Sequence, residues 1–238
     1  MKISVMTYNV LFNKAIPHLA DVLNTYKPDV VCFQEIETNE QTFKNIEAAG
    51  YQLADYSNSF IKFNKIYGLA TFFRKETGLQ CVESQTLYLP RSYYEILLFI
   101  LRGGNSPRTV LRTEFRLDGK SFSMYNVHLT ARATNTARSK QIKETLQDLK
   151  IRQKDHVIIA GDFNYPYGRK KFEEMIADHG LHEATNTLFF TSDQKFFGVF
   201  SFRLKLDYIL YKDLRLKETK MVDVSYSDHY PIMSYFEI

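Results

Sequence analysis

One short pattern occurs twice in this chain, and each copy opens the same succession of elements. Met6-Thr7-Tyr8-Asn9-Val10 and Met124-Tyr125-Asn126-Val127-His128 both place Tyr-Asn-Val at the end of an alternating, strand-like segment. After each copy comes a helical stretch, then a short apolar run that stops on an acid. The runs are Val30-Val31-Cys32-Phe33 before Gln34-Glu35, and His156–Ala160 before Gly161-Asp162. A strand, a crossover helix and a second, wholly apolar strand form a parallel β-α-β unit buried on both faces. Two such units predict a pseudo-twofold layered α/β fold. Polar groups at the strand ends then gather along one edge of the sheets, where loops carry sites.

The remaining periodicities fit that frame. Lys2–Asn9 reads as the first strand. Ala15–Tyr26 reads as a helix, with Ile16, Leu19, Ala20 and Leu23 on one face and a stop at Lys27-Pro28-Asp29. Thr38–Ala49 reads as a second helix, with Thr38 as N-cap, Gln41 three residues on and Gly50 closing it. Tyr51 to Phe115 is rich in aromatic and β-branched residues and predicts several antiparallel strands. Asp118-Gly119 marks a hairpin between Thr109–Arg116 and Ser121–Val127. Ala137–Lys150 is amphipathic, with Ile142, Leu146 and Leu149 on one face. Gly168–Asp178 reads as a helix, and Leu206–Tyr211, Met221–Ser225 and Pro231–Phe236 as strands. Within Arg91–Pro107, Ile96–Leu101 suits either a short helix or a strand, and Gly103–Pro107 is a loop. No linker or compositional break interrupts residues 1–238, so one domain is expected.

Composition narrows the classes. With 45% hydrophobic and 24% charged residues, 10 Gly and 6 Pro, collagen-like and low-complexity chains are excluded. A bilayer span needs roughly 18 apolar residues and Ile96–Leu101 is the longest run, so no stable membrane insertion is expected. The opening Met1–Thr7 lacks the apolar core of a secretory signal. Two cysteines, one of them Cys32 inside an apolar run, predict free thiols in a reducing, cytoplasmic compartment, and a monomer is expected. The net charge of +4 gives mild attraction to anions: nucleic acid, phosphorylated metabolites or lipid headgroups.

Asn9, Glu35, Asn126, His128, Asp162, Asn164, Asp207, Asp228 and His229 all lie at, or just past, the ends of predicted strands. Singly, each has an ordinary structural explanation as a turn cap, a solvated acid or a satisfied imidazole. Five apolar strands all ending in acid, amide or imidazole are harder to attribute to capping. Glu35 and Asp228 are hard oxygen ligands of the kind Mg²⁺ uses. Thiolates are absent from the set and no two histidines lie at i, i+4, which argues against tetrahedral zinc. His128, Asn126 and Asn164 are donors suited to phosphate oxygens. His229 with Asp207 suits a carboxylate-oriented imidazole. Neither a nucleophile elbow nor a phosphate-binding glycine loop is present, which leaves metal-assisted water as the economical nucleophile.

Six segments carry a resemblance. Thr7-Tyr8-Asn9-Val10, Gln34-Glu35, Asn126-Val127-His128-Leu129, Gly161-Asp162-Phe163-Asn164, Leu206-Asp207-Tyr208-Ile209-Leu210 and Ser227-Asp228-His229-Tyr230-Pro231 follow one another in the order of a known motif series. From residue 7 to 231 the chain resembles the endonuclease/exonuclease/phosphatase superfamily. The resemblance implies a deoxyribonuclease-I-like, four-layer α/β sandwich of two packed mixed β-sheets with outer helices. It implies hydrolysis of a phosphoester with Mg²⁺, or Mn²⁺. Glu35 would be the principal metal ligand, with Asn9 beside it and Asp228 near the metal. Asp162 would orient or deprotonate the attacking water, Asn164 would hold the phosphate and His128 would donate to a nonbridging oxygen. His229, paired with Asp207, would be either the general base or a phosphate-stabilising imidazolium. Asn126 would support the phosphate, and Tyr67, Arg108 and Arg132 would be further substrate contacts.

Among the superfamily's substrates, nucleic acid is the first reading. The mild positive charge favours it, as does the basic segment after His128, where Arg138 and Gln141 are similar to the tyrosyl-DNA phosphodiesterase branch. A phospholipid (sphingomyelinase-like) or inositol-phosphate and small-molecule phosphatase is the second, with Tyr93, Tyr94 and Ile96–Leu101 as a lipid-touching hairpin. An inactive binding module of the same fold is the third, against which every principal position is filled.

Overall fold

The computed structural model describes residues 2–90, 108–131, 134–152, 156–196 and 200–238. The ambiguous stretch Arg91–Pro107, with Tyr93, Tyr94 and Ile96–Leu101, lies outside them, as do Arg132 and the side chain of Leu149. The chain runs β1 (Lys2–Asn9), α1 (Ile16–Tyr26), β2 (Val30–Glu37), α2 (Glu40–Ala48), β3 (Tyr51–Lys62), β4 (Lys65–Arg74) and β5 (Gln80–Tyr88). It continues through β6 (Thr109–Leu117), β7 (Lys120–His128), α3 (Asn135–Arg152), β8 (Val157–Asp162), α4 (Arg169–Ala177) and β9 (His182–Glu183). It closes with β10 (Ser192–Phe196), β11 (Phe200–Leu204), β12 (Asp207–Lys212), β13 (Arg215–Met221) and β14 (Ile232–Glu237).

Two six-stranded mixed sheets result, ordered β13-β14-β1-β2-β4-β3 and β5-β6-β7-β8-β12-β9, with β10 and β11 as a separate hairpin. The repeated pattern forms the parallel pair in each. β1 pairs with β2 from Val5↔Val30 to Asn9↔Gln34, and β7 pairs with β8 from Ser123↔Val157 to His128↔Asp162.

Period-2 alternation explains why the central strands are apolar throughout. Val30 and Cys32 of β2 meet Met124, Ile158 and Ala160 in the core between the sheets. Val31 and Phe33 face the other way and pack with Leu19 and Leu23 of α1 and Phe43 and Ile46 of α2. On the far side Val157 and Ile159 pack with Ile142 and Leu146 of α3 and Phe172 of α4. Helices, sheet, sheet and helices make four layers, the deoxyribonuclease-I-like sandwich.

Polar groups interrupt the core between the sheets. The buried Gln34 donates through Nε2 to Asn126 Oδ1 at 2.8 Å, and Asn126 Nδ2 donates to the carbonyls of Phe33 and Ala70, each at 3.1 Å. One amide of the second sheet is thereby tied to two strands of the first.

Several sequence expectations need correction. β2 does not stop at Gln34-Glu35; it continues to Glu37 through a bulge between Gln34 and Ile36. The N-cap of α2 is Asn39, whose Oδ1 accepts from Thr42 N at 2.8 Å, while the Thr38 hydroxyl is engaged with Asn58. The strand expected at Met221–Ser225 lies earlier, at Arg215–Met221. Its charged residues belong to an edge strand, and the apolar Val222 is buried in the following loop. β9, β10 and β11 carry no periodicity strong enough to have been anticipated.

Asn126→Ala leaves an amide and two buried carbonyls without their partner. It is expected to lower the unfolding free energy by about 2–5 kcal/mol, measured by urea denaturation.

Candidate active site

On the first sheet the bulge in β2 aims Glu35. Its φ of +54° lies in the left-handed region, so the residue leaves the strand's alternation. Its Oε1 lies 3.7 Å from His128 Nε2 of the second sheet. Asn9, ending β1, donates through Nδ2 to Asp162 Oδ2 at 3.1 Å, while its Oδ1 accepts Leu11 N at 3.1 Å. The amide thus holds Asp162 and also acts on Glu35, between the two carboxylates expected to flank the cation.

On the second sheet, register aligns three functional residues in one row. His128 is opposite Asp162, and Asp162 is opposite Asp207, across β7, β8 and β12. Gly161 permits the close approach: a Cβ there would lie 1.9 Å from the Val127 carbonyl oxygen, and its φ is +149°. Asn164, at φ +49°, donates its backbone N–H to Asp162 Oδ1 at 2.8 Å and its Nδ2 to Leu129 O at 3.1 Å. His229 reaches the row from the loop before β14. Its Nδ1 lies 2.8 Å from Asp207 Oδ2 and its Nε2 lies 3.8 Å from Asp162 Oδ2. Ser227 fastens that loop to the first sheet, donating to Asn9 O at 2.8 Å.

The charge states follow from burial and neighbours. Burial alone would neutralise His229, but the Asp207 and Asp162 carboxylates outweigh it and raise its pKa to about 10. Burial raises Asp162 to about 7, opposed by His229 and reinforced by Asp207. His128 is held well below its ordinary value by burial and then by the positive charges of Arg108 and His229. Burial raises Glu35 as well, against the pull of His229 and Arg108 and with the Asp228 charge adding to the rise. At neutral pH the cleft thus holds a neutral imidazole at 128 and a cationic one at 229.

Two places could satisfy a cation. The ligand atoms of Asp162, Asp207 and His229 lie within 4.8 Å of one another. The short Nδ1 contact shows that a proton already serves the Asp207–His229 pair. Glu35 differs: its buried Oε2 finds no hydrogen-bond donor among the described residues. An orphaned carboxylate oxygen with a second carboxylate, Asp228, near enough to raise its pKa suits a hard divalent cation.

Residues 6–229 match the sequence pattern of the Endonuclease/Exonuclease/phosphatase family. The chain belongs to that family. Members are phosphoester hydrolases, nucleases and phosphatases among them, and this fold matches such enzymes. The human Nocturnin catalytic domain, solved with bound sulfate, is similar at TM-score 0.79 and 21% identity, covering 99% of this chain and 94% of that one. TDP2 from D. rerio, complexed with a single-strand DNA product, is similar at 0.76 and 19%, covering 100% and 99%. The mannosyl-6-phosphatase Bt3783 of Bacteroides thetaiotaomicron is similar at 0.73 and 17%, covering 99% and 100%. A UPF0294 protein of Vibrio parahaemolyticus is 27% identical over 135 residues, 56% of this chain; the match spans about half of that relative, 46% of its length.

The remaining candidates divide. Tyr67 is buried and edge-on to Phe12 at 5.3 Å, with Glu37 and Glu35 near enough to add to the rise that burial gives its pKa. Arg108 reaches the family's cleft, 5.5 Å from the Phe60 ring and acting on both Glu35 and His128. Asn126 is fully committed to the tie between the sheets, which removes it from the substrate contacts. Arg132 lies outside the described residues. Arg138 and Gln141, read from the sequence as a substrate-branch signature, brace the segment after His128. Arg138 Nε donates to Thr130 O at 2.9 Å and Gln141 Oε1 accepts Thr130 N at 3.1 Å. Sequence reasoning missed Thr191, whose hydroxyl donates to Asp207 Oδ2 at 2.7 Å, and Gln194, 3.4 Å from His229 Nε2. Neither lies in a recognisable local motif.

The Asp207–His229 pair carries a signed pH dependence. The folded pKa of about 10 exceeds the ordinary 6.5. The pair's stabilisation is therefore complete below the lower value and lost as pH rises towards the upper. In chelator, chemical denaturation should show stability falling between pH 7 and 10, and Asp207→Asn should flatten that fall.

Proposed function

We propose that this chain is a divalent-cation-dependent phosphodiesterase of nucleic acid, in which water attacks phosphorus. The reading is carried by the row of His128, Asp162 and Asp207, closed by His229 and faced by Glu35 from the opposite sheet. Glu35, through its open Oε2, and Asp228 would hold Mg²⁺ or Mn²⁺. When bound, such an ion supplies charge neutralisation at the phosphate oxygens.

The chain's own groups divide the rest. Asp162 has both oxygens fixed, one by Asn164 N and one by Asn9, and its pKa of about 7 suits a base that takes the proton of the attacking water near neutrality. His229, kept cationic by Asp207, presents Nε2–H to a nonbridging oxygen and stabilises the charge that grows there. His128, neutral, offers a hydrogen bond without adding charge, and Asn164 borders the same cleft through its bond to Asp162. Of the two roles left open by the motifs at His229, base or imidazolium, the two carboxylates around that ring support imidazolium.

Nucleic acid is favoured by the net charge of +4 and by the fold shared with TDP2, solved with a single-strand DNA product. No described helix is long and apolar enough to cross a membrane. A reducing, cytoplasmic setting fits the two free thiols, Cys32 and Cys81.

The purified chain should hydrolyse bis-p-nitrophenyl phosphate and short DNA with Mg²⁺, lose turnover on exhaustive chelation and regain it with Mg²⁺ or Mn²⁺. Glu35→Gln and His229→Ala should each lower kcat by about 10²–10⁴-fold with native circular dichroism. Full turnover in chelator, or in either variant, overturns the assignment.

A further inference from the structure

Beside the cleft, two turns in unfavourable backbone conformations present phenylalanine rings to one place. In the β1–α1 turn Leu11, Phe12 and Asn13 have φ of +46°, +52° and +67°. At the tip of the β3–β4 hairpin, between the paired Lys62 and Lys65, Phe63 and Asn64 have φ of +52° and +58°. Left-handed conformations suit Gly, Asn or Asp; a phenylalanine there is costly. Packing does not explain the choice at 63, since that side chain is 73% exposed. Asn13 holds the first turn in place, donating to Glu37 and accepting from Glu37 N.

The rings form a continuous wall that starts at the predicted phosphate site. Phe60 lies 6.3 Å from the His128 ring, Phe12 lies 5.8 Å edge-on to Phe60, and Phe63 lies 6.3 Å perpendicular to Phe12. Cations are set into the wall. Lys62 Nζ lies 3.5 Å from the Phe12 centroid and 5.0 Å from that of Phe63, and the Arg108 guanidinium lies over Phe60. Aromatic surface, half-buried at Phe12 and Phe60 and open at Phe63, interleaved with positive charge fits a ligand that alternates flat π-faces with anionic phosphates. Interfacial lipid-binding surfaces also join Lys and Arg to aromatic rings, so vesicle binding is one outcome of the test below.

We infer that Phe12, Phe60 and Phe63 form a stacking subsite for the unpaired base of a nucleotide next to the scissile phosphodiester, so that the substrate is single-stranded. The inference rests on the nucleic-acid reading above and adds its strand form and the residues that recognise it. Lys62 and Arg108 draw in the phosphates flanking that base, and Phe63, at the far end, is the most accessible stacking face. A base inside a duplex has both faces covered and could not use it.

The test measures binding without turnover. In chelator, fluorescence anisotropy compares a labelled short oligothymidylate with an abasic strand of equal length and charge. The wild-type chain should prefer the base-bearing strand by about ten-fold, and Phe63→Asn should erase most of that preference. Asn is better suited to the left-handed position, so the variant should keep or raise the melting temperature and a binding loss cannot be assigned to unfolding. Equal wild-type affinity for the two strands overturns the inference, as does no binding of either, or a variant that weakens both strands alike. Binding to phosphatidylcholine–sphingomyelin vesicles that depends on Phe63, with no base preference, overturns it in favour of a membrane contact. Hydrolysis of bis-p-nitrophenyl phosphate is scored separately. A chain that cleaves that ester but ignores bases fails only the stacking inference; one that stacks bases but cleaves nothing fails only the hydrolase reading.

Discussion

The amide of Asn126 lies where two sheets must keep a fixed offset, and the cleft depends on that offset. Apolar faces attract without choosing a register, because area buried changes little as one slides over the other. A buried amide with directional bonds to Gln34 and to the carbonyls of Phe33 and Ala70 does choose. Those carbonyls belong to a paired position of β2 and β4 next to the bulge at Gln34–Ile36. The same bulge frees Glu35 from the strand's alternation. One irregularity in β2 therefore accompanies both the lock between the sheets and the placement of the carboxylate that faces His128.

Within the cleft, charge balance rests on a single buried imidazole. Asp162 and Asp207 stand at paired positions of adjacent strands, and two buried carboxylates at that separation repel each other. His229 lies between them, bonded to Asp207 and within 3.8 Å of Asp162. The cation it carries offsets the charge of the two acids and opposes the rise that burial gives Asp162. His128 cannot share the task, since burial first and then the charges of Arg108 and His229 oppose its protonation. Glu35, raised by burial with an unmet oxygen, is the place where further positive charge is accommodated most readily.

Several of the positive-φ residues border this cleft, while others, such as Lys27, Asp118 and Asp213, sit in ordinary caps and turns. Leu11, Phe12, Asn13, Glu35 and Asn164 all have positive φ, and each lies on a segment that delivers a side chain to the cleft or its rim. Regular β-structure cannot aim adjacent residues to the same side, so the departures occur where several groups must converge. The cost is carried by the surrounding sandwich, whose central strands are buried on both faces.

Much of this was legible in the linear chain. Alternation and apolar runs specify local structure, so β1, β2, β7, β8 and the helices between them could be located, and the polar ends of those strands named. The six motifs pointed to the family because residue type and order survive without coordinates. Edge strands such as β13, whose charged residues hide their period, were not legible, nor was the N-cap at Asn39. Roles that depend on partners were also beyond reach. Asn126 and Arg138 carry donor groups that suit a phosphate, yet both are consumed by the protein's own carbonyls. Thr191 and Phe63, in unremarkable surroundings, lie beside Asp207 and the cleft. Sequence determines which groups exist and which strand ends carry them, since both are properties of short segments. Only the tertiary structure decides whether a donor is free or already satisfied, because that depends on where the folded backbone brings its acceptors, from Phe33 and Ala70 for Asn126 and from the turn at Thr130 for Arg138.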